Sequence, residues 1–170
     1  MLTNSEKVRE FSNTVLRSQN KTPVNKAEPL TKNQVTFLIK MIIDESVELL
    51  AATGVPADER KAIIENIVRT QVDARADLAI PTTTEDIVLE QADAIVDIEY
   101  YMKDVTSRNG INTDAIFDIV HKANMNKRQL DGTFMLRADG KVMKPNNWVS
   151  PEEEKKKEIC RQIQGNSFNA

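Results

Sequence analysis

The chain has 170 residues and a mass of 19.2 kDa, with 40% hydrophobic and 29% charged residues, the composition of one ordinary globular domain rather than a fibre or a disordered tail. Its net charge of −3 gives no general attraction to nucleic acid or an anionic membrane, and the short apolar runs and charged start argue against a membrane span or a secretion signal. A single cysteine, Cys160, and a single histidine, His121, exclude by count an internal disulfide, multi-cysteine centres and metal sites built on several histidines, so a cytoplasmic protein whose metal ligands are carboxylates is expected.

In chain order the periodicity predicts a mainly helical protein. A first helix over about Ser5 to Ser18 places Val8, Phe11 and Val15 on one face and ends in the polar, proline-containing loop Asn20 to Pro29. Thr31 and Gln34 form a capping box for a second helix that runs to Gly54 and Pro56. A third is expected from Ala57 to about Leu78, closed by Pro81, and a fourth from Glu85 to about Ser107, N-capped from Thr82 to Thr84 and stopped by Asn109-Gly110. Asn112 or Thr113 caps the next, which carries Ile116, Phe117 and Val120. The turn dipeptides Asp131-Gly132 and Asp139-Gly140 then flank a short hairpin or ordered loop. Ser150, Pro151 and Glu153 read as N-cap, N1 proline and capping box of a last, highly charged helix to about Ile163, with a frayed tail after Gly165. No repeat or linker divides the chain. One all-α domain over 1–170 is expected, a helical bundle over about 5–126 with a basic hairpin extension and terminal helix over about 127–163.

The charges are unevenly placed. Met41 to Asp104 holds 15 acidic and 5 basic residues, whereas His121 to Arg161 holds 10 basic and 6 acidic ones. An acidic middle followed by a basic segment suits a magnesium–polyphosphate site, and it equally describes two solvated helix faces. The positions of the acids favour the first. Glu45 and Glu48 share one face of the second helix, and Asp86, Glu90, Asp93, Asp97 and Asp104 form one stripe on the fourth. The rest of the fourth helix is apolar nearly all round, which predicts burial, and buried unpaired carboxylates call for a cation. No EF-hand loop, Walker-type glycine loop or nucleophile elbow is present.

The segments IIDESVEL, with Glu45-x-x-Glu48, and EQADAIVDIEYY, with Glu90-x-x-Asp93, resemble the paired acidic motifs of the all-α nucleoside triphosphate pyrophosphohydrolases. That superfamily includes MazG-like proteins, dimeric dUTPases and phosphoribosyl-ATP pyrophosphohydrolases. The stretch VHKANMNKRQLDGTFMLRADGKVMKPNNW resembles the basic extension of the phosphoribosyl-ATP-pyrophosphohydrolase-like branch. The likeness spans roughly Phe11 to Trp148, with a longer gap between the acidic pairs than is usual, which the third helix fills.

The resemblance implies hydrolysis between the α and β phosphates of a nucleoside triphosphate, giving the monophosphate and pyrophosphate. It implies that Glu45, Glu48, Glu90 and Asp93 hold magnesium, with manganese as a substitute. Glu45, Asp44 and Asp97 are the candidates for activating water. Asn124, Lys127, Arg137, Lys141 and Lys144 are the groups expected on phosphate oxygens. His121 is expected to satisfy a local hydrogen bond, and Trp148 to pack in a core or interface or to stack on a base. The other readings are phosphoribosyl-ATP hydrolysis in histidine synthesis and a non-catalytic helical module that binds nucleotide or a partner helix. No nucleic-acid or membrane partner is expected. A homodimer or homotetramer is, because the fourth helix needs covering on every side.

Overall fold

The computed structural model describes residues 2–138 and 140–165. The expected frayed tail beyond Gly165 and the first residue of the Asp139-Gly140 turn lie outside them. Six helices follow in order among the described residues: α1 (Asn4–Ser18), α2 (Lys32–Ala52), α3 (Ala57–Ala74), α4 (Thr84–Arg108), α5 (Thr113–Met125) and α6 (Glu152–Ile163). The all-α class holds, and no helix among the described residues is long and apolar enough to cross a membrane.

Local chemistry sets most boundaries. At α2 the Thr31 hydroxyl accepts from the Gln34 N–H while the Gln34 side chain accepts from the Thr31 N–H, the expected capping box. Asn112 caps α5 by accepting from Asp114 and Ala115, and Thr83 caps α4 by accepting from Asp86 N–H. Three expectations shift. Helix α1 begins at Asn4, because Thr3 and Glu6 form a capping box of their own. Helix α3 stops at Ala74, short of Leu78, with Arg75 at its C-cap. Helix α6 has Pro151, not Ser150, at its N-cap and no side-chain cap; Glu152, Glu153 and Glu154 in its first turn complement the dipole instead.

The chain divides into two compact units, 1–26 with 96–170, and 27–95; the boundary falls within α4. In the first unit α5 packs against both α1 and α6. Its small core holds Ala123 and Phe134, and Gln162 is buried elsewhere in the same unit. Phe134 stacks on Phe11 of α1 at 5.0 Å between ring centroids and donates its N–H to the Ser18 hydroxyl. These contacts pin the expected hairpin, an antiparallel bridge between Leu136 and Val142, onto α1. Gly140 takes the left-handed φ of 83° that its turn requires. At the other end of α5, the Gln162 amide binds both the N–H and the C=O of Asn112, at 2.9 and 3.1 Å, and ties α6 to the α5 cap.

In the second unit α2 packs on α3. Here the expected burial of the fourth helix is not met: no residue of α2, α3 or α4 is buried within the chain, and Leu89 is 63% exposed. An all-round apolar pattern reports that a helix needs covering, and within one chain the cover is not supplied.

Candidate functional site

The five residues expected on phosphate oxygens come together in the first unit. Asn124, Lys127, Arg137, Lys141 and Lys144 line one cavity of about 870 Å³, walled by Phe11, Val15, Leu16 and Met143 among others, a size that admits a nucleotide-sized ligand. Each group reaches it for a local reason. Asn124 and Lys127 lie at the C-terminal end of α5, three residues apart, and the Lys127 ammonium donates to Asn124 Oδ1 at 2.7 Å. Arg137 and Lys141 face each other across the hairpin, where the Arg137 N–H donates to the Lys141 carbonyl at 2.8 Å. Lys144 follows the hairpin and stands over the Trp148 ring, 4.3 Å from its centroid, with Lys127 at 5.8 Å from the same ring.

Trp148 has a fixed place of its own: its Nε1 donates to the Ala123 carbonyl at 2.8 Å, which holds the ring that both lysines approach. Burial lowers the proton affinity of Lys127, and the charge of Lys144 lowers it further. Neither lysine has a carboxylate partner among the described residues, and no described residue lining the cavity is acidic. Lys127 and Lys144, with Arg137 and Lys141 beside them in the cavity wall, concentrate positive charge of the kind that attracts a multiply charged anion.

The acidic groups are placed differently. Glu45 and Glu48 lie on α2, Glu90 and Asp93 on α4, all exposed and without an ion pair or hydrogen bond among the described residues. Asp44 adjoins the first pair on α2, and Asp97 stands one turn beyond Asp93 on α4; both are exposed. Each i, i+3 pair offers oxygen donors of the kind hard divalent cations take. Within one chain, however, no three such groups among the described residues come close enough to hold one ion.

A contact that periodicity does not reveal accounts for the separation. The Gln91 side chain, between Glu90 and Asp93, accepts from the Leu30 N–H at 2.7 Å and donates to the Leu30 carbonyl at 3.1 Å. It therefore fixes this part of α4 beside the start of α2. Glu45 and Glu48 lie ~21 and ~25 Å farther along α2, counting the rise from the Thr31 cap. A single chain thus does not present the closed four-carboxylate magnesium centre that the resemblance implies.

Where a local hydrogen bond is expected for His121, its Nε2 lies 3.7 Å from Oε2 of Glu10, far away in the sequence, and Glu10 also receives Arg128 at 3.5 Å. The apolar cavity wall was not singled out in the sequence, because Phe11 and Val15 fall on the α1 face that helical periodicity assigns to a core. Gln91 is a polar residue on an otherwise mostly apolar stretch of α4.

Comparison with known proteins names the class. The family model for phosphoribosyl-ATP pyrophosphohydrolase matches residues 8–124, and the chain belongs to that family, within the MazG-like all-α nucleoside triphosphate pyrophosphohydrolase superfamily. A crystal structure of a candidate NTP pyrophosphohydrolase from Exiguobacterium sp. 255-15 superposes with a TM-score of 0.82 at 24% identity, over 96% of this chain and 97% of that one, and shows the same fold. No curated protein is a significant match.

Proposed function

We propose that the protein is a magnesium-dependent nucleoside triphosphate pyrophosphohydrolase of the cytoplasm that cleaves the α–β phosphate bond and adjusts a nucleotide pool. The observation that carries this reading is the cavity in which Asn124, Lys127, Arg137, Lys141 and Lys144 meet. It offers charge-assisted hydrogen bonds to a polyphosphate and an apolar wall for the rest of a nucleotide. In the reaction a water oxygen bonds to the α phosphorus, the bond from that phosphorus to the bridging oxygen breaks, and pyrophosphate leaves. The water's proton goes to a carboxylate, for which Glu45, Asp44 and Asp97 are the candidates. Lysines on the phosphate oxygens hold the chain of phosphates in line and offset the charge that grows on the leaving group. The family match favours a second substrate, phosphoribosyl-ATP, in which the same bond would be cut.

The test is pyrophosphate release from a panel of ribo- and deoxyribonucleoside triphosphates and phosphoribosyl-ATP, with magnesium and with chelator. Magnesium-dependent release from one substrate supports the reading and selects between the two substrates. No release from any of them, by folded protein, refutes it in favour of a nucleotide-binding module.

A further inference from the structure

We propose that Trp148 is a positioning residue: its ring holds the Lys127 and Lys144 ammoniums together at the cavity, so that a polyphosphate meets the pair as one preset clamp. The inference rests on reading that cavity as the phosphate site of the proposed hydrolase.

The chain itself brings the three groups together. Pro145 disfavours helix at Lys144, and the Trp148 N–H donates back to the Pro145 carbonyl at 3.0 Å, which closes a four-residue turn. The turn returns the indole to the lysine that precedes it, whose ammonium lies 4.3 Å from the ring centroid. Lys127 reaches the same ring from the end of α5, at 5.8 Å.

The ring is locked by the helix end that carries Lys127. Ala123 is only 7% exposed, and a buried carbonyl needs a donor. In the last turn of α5 the Lys127 N–H donates to the Asn124 carbonyl at 3.1 Å rather than to Ala123, four residues back. The indole Nε1 takes that acceptor instead, at 2.8 Å.

Two ammoniums brought together repel, and after burial the charge of Lys144 is what lowers the proton affinity of Lys127. The negative face of an indole draws cations and offsets that repulsion. Lys127 has a second anchor in Asn124 Oδ1, at 2.7 Å. Among the described residues the ring is the partner of the Lys144 ammonium. Without it Lys144 moves away from its neighbour, and ligand binding must bear the cost of ordering it. Both lysines stand in the cavity wall and Trp148 does not, so it acts through them.

The test titrates inorganic tripolyphosphate, without magnesium, into the full-length wild type and the variants Trp148→Leu and Trp148→Phe. Affinity is read by calorimetry, and folding by circular dichroism and melting temperature. Trp148→Leu should weaken binding ~10-fold, whereas Trp148→Phe keeps a ring face and should stay within ~3-fold of wild type. Both variants lose the bond to Ala123 and should melt lower. Affinity that falls equally in both overturns the proposal, as does a folded Trp148→Leu that binds like wild type. A readout independent of both variants is the emission of Trp148, the only tryptophan. An anion on the two ammoniums offsets the charge beside the ring, so wild-type emission should shift and saturate, and at saturation the shift should be smaller in Lys144→Ala. A shift of equal size in Lys144→Ala, no shift in the wild type, or no binding by it also overturns the proposal. Binding that depends on the ring, without pyrophosphate release from any substrate, would leave the clamp standing and remove the hydrolase reading.

Discussion

The unit formed by residues 1–26 and 96–170 and the unit formed by residues 27–95 are both helical, yet they are held in different ways. The first closes on itself: Phe134 is buried against Phe11, Gln162 clasps Asn112, and Trp148 is fixed to Ala123. The second has packed helices α2 and α3, one side-chain clasp through Gln91, and no buried residue. The first therefore forms a cavity rich in cations, whereas the second leaves its acids and its apolar side chains exposed.

Substitutions should separate the two units. The largest stability effect is expected at Phe134, only 4% exposed: Phe134→Ala should cost about 3–5 kcal/mol in denaturant unfolding. Comparable loss from truncating an exposed leucine of α2 in dilute protein would break the contrast. Glu48→Gln should lower pyrophosphate release at least ~100-fold while leaving the circular dichroism unchanged, since the carboxylate is the proposed metal ligand and lies on an exposed helix face. Lys144→Ala should raise KM about 10-fold, the loss of one charge-assisted phosphate contact, and an unchanged KM would remove Lys144 from the phosphate site.

Smaller effects sharpen the comparison. Gln91→Ala removes two hydrogen bonds to the Leu30 backbone and should destabilise residues 27–95 by about 1–2 kcal/mol, seen as a lower unfolding midpoint. The smallest effect concerns acid stability. The Arg161 and Gln162 side chains hold the Glu158 carboxyl down to about 2 from its ordinary 4.5. A depressed carboxylate contributes stability that is fully present above 4.5 and is lost as pH falls toward 2. Glu158→Gln should accordingly flatten the fall in stability over that interval and change little at neutral pH; an unchanged acid profile would contradict the assignment.

Much of this was legible in the sequence where the signal is local. The Thr31–Gln34 capping box and the Asn112 cap are decided by side chains within three residues; the first reads outright, and the second reads as Asn112 or Thr113, of which Asn112 is the cap. The basic extension named five residues that the fold does gather, because turns at Gly132 and Gly140 and the end of α5 bring a short stretch of chain back on itself. What failed to read depended on distant partners. Phe11 and Val15 look like core until the hairpin is seen to leave a cavity beside them. The pattern of α4 states that the helix needs burial without stating which chain provides it, and the Gln91–Leu30 contact spans 61 residues. The position of Ser150 failed for a local reason, since three glutamates already satisfy the start of α6.

The contrast between the units is tested most directly by hydrogen exchange on the full wild-type chain at high and low protein concentration. The account predicts that amides of α2 and of α4 up to Ile95 lose protection as the protein is diluted, while α1, α5 and the hairpin exchange slowly at both concentrations. Protection of α2 and α4 that persists undiminished in a species of single-chain mass would contradict it.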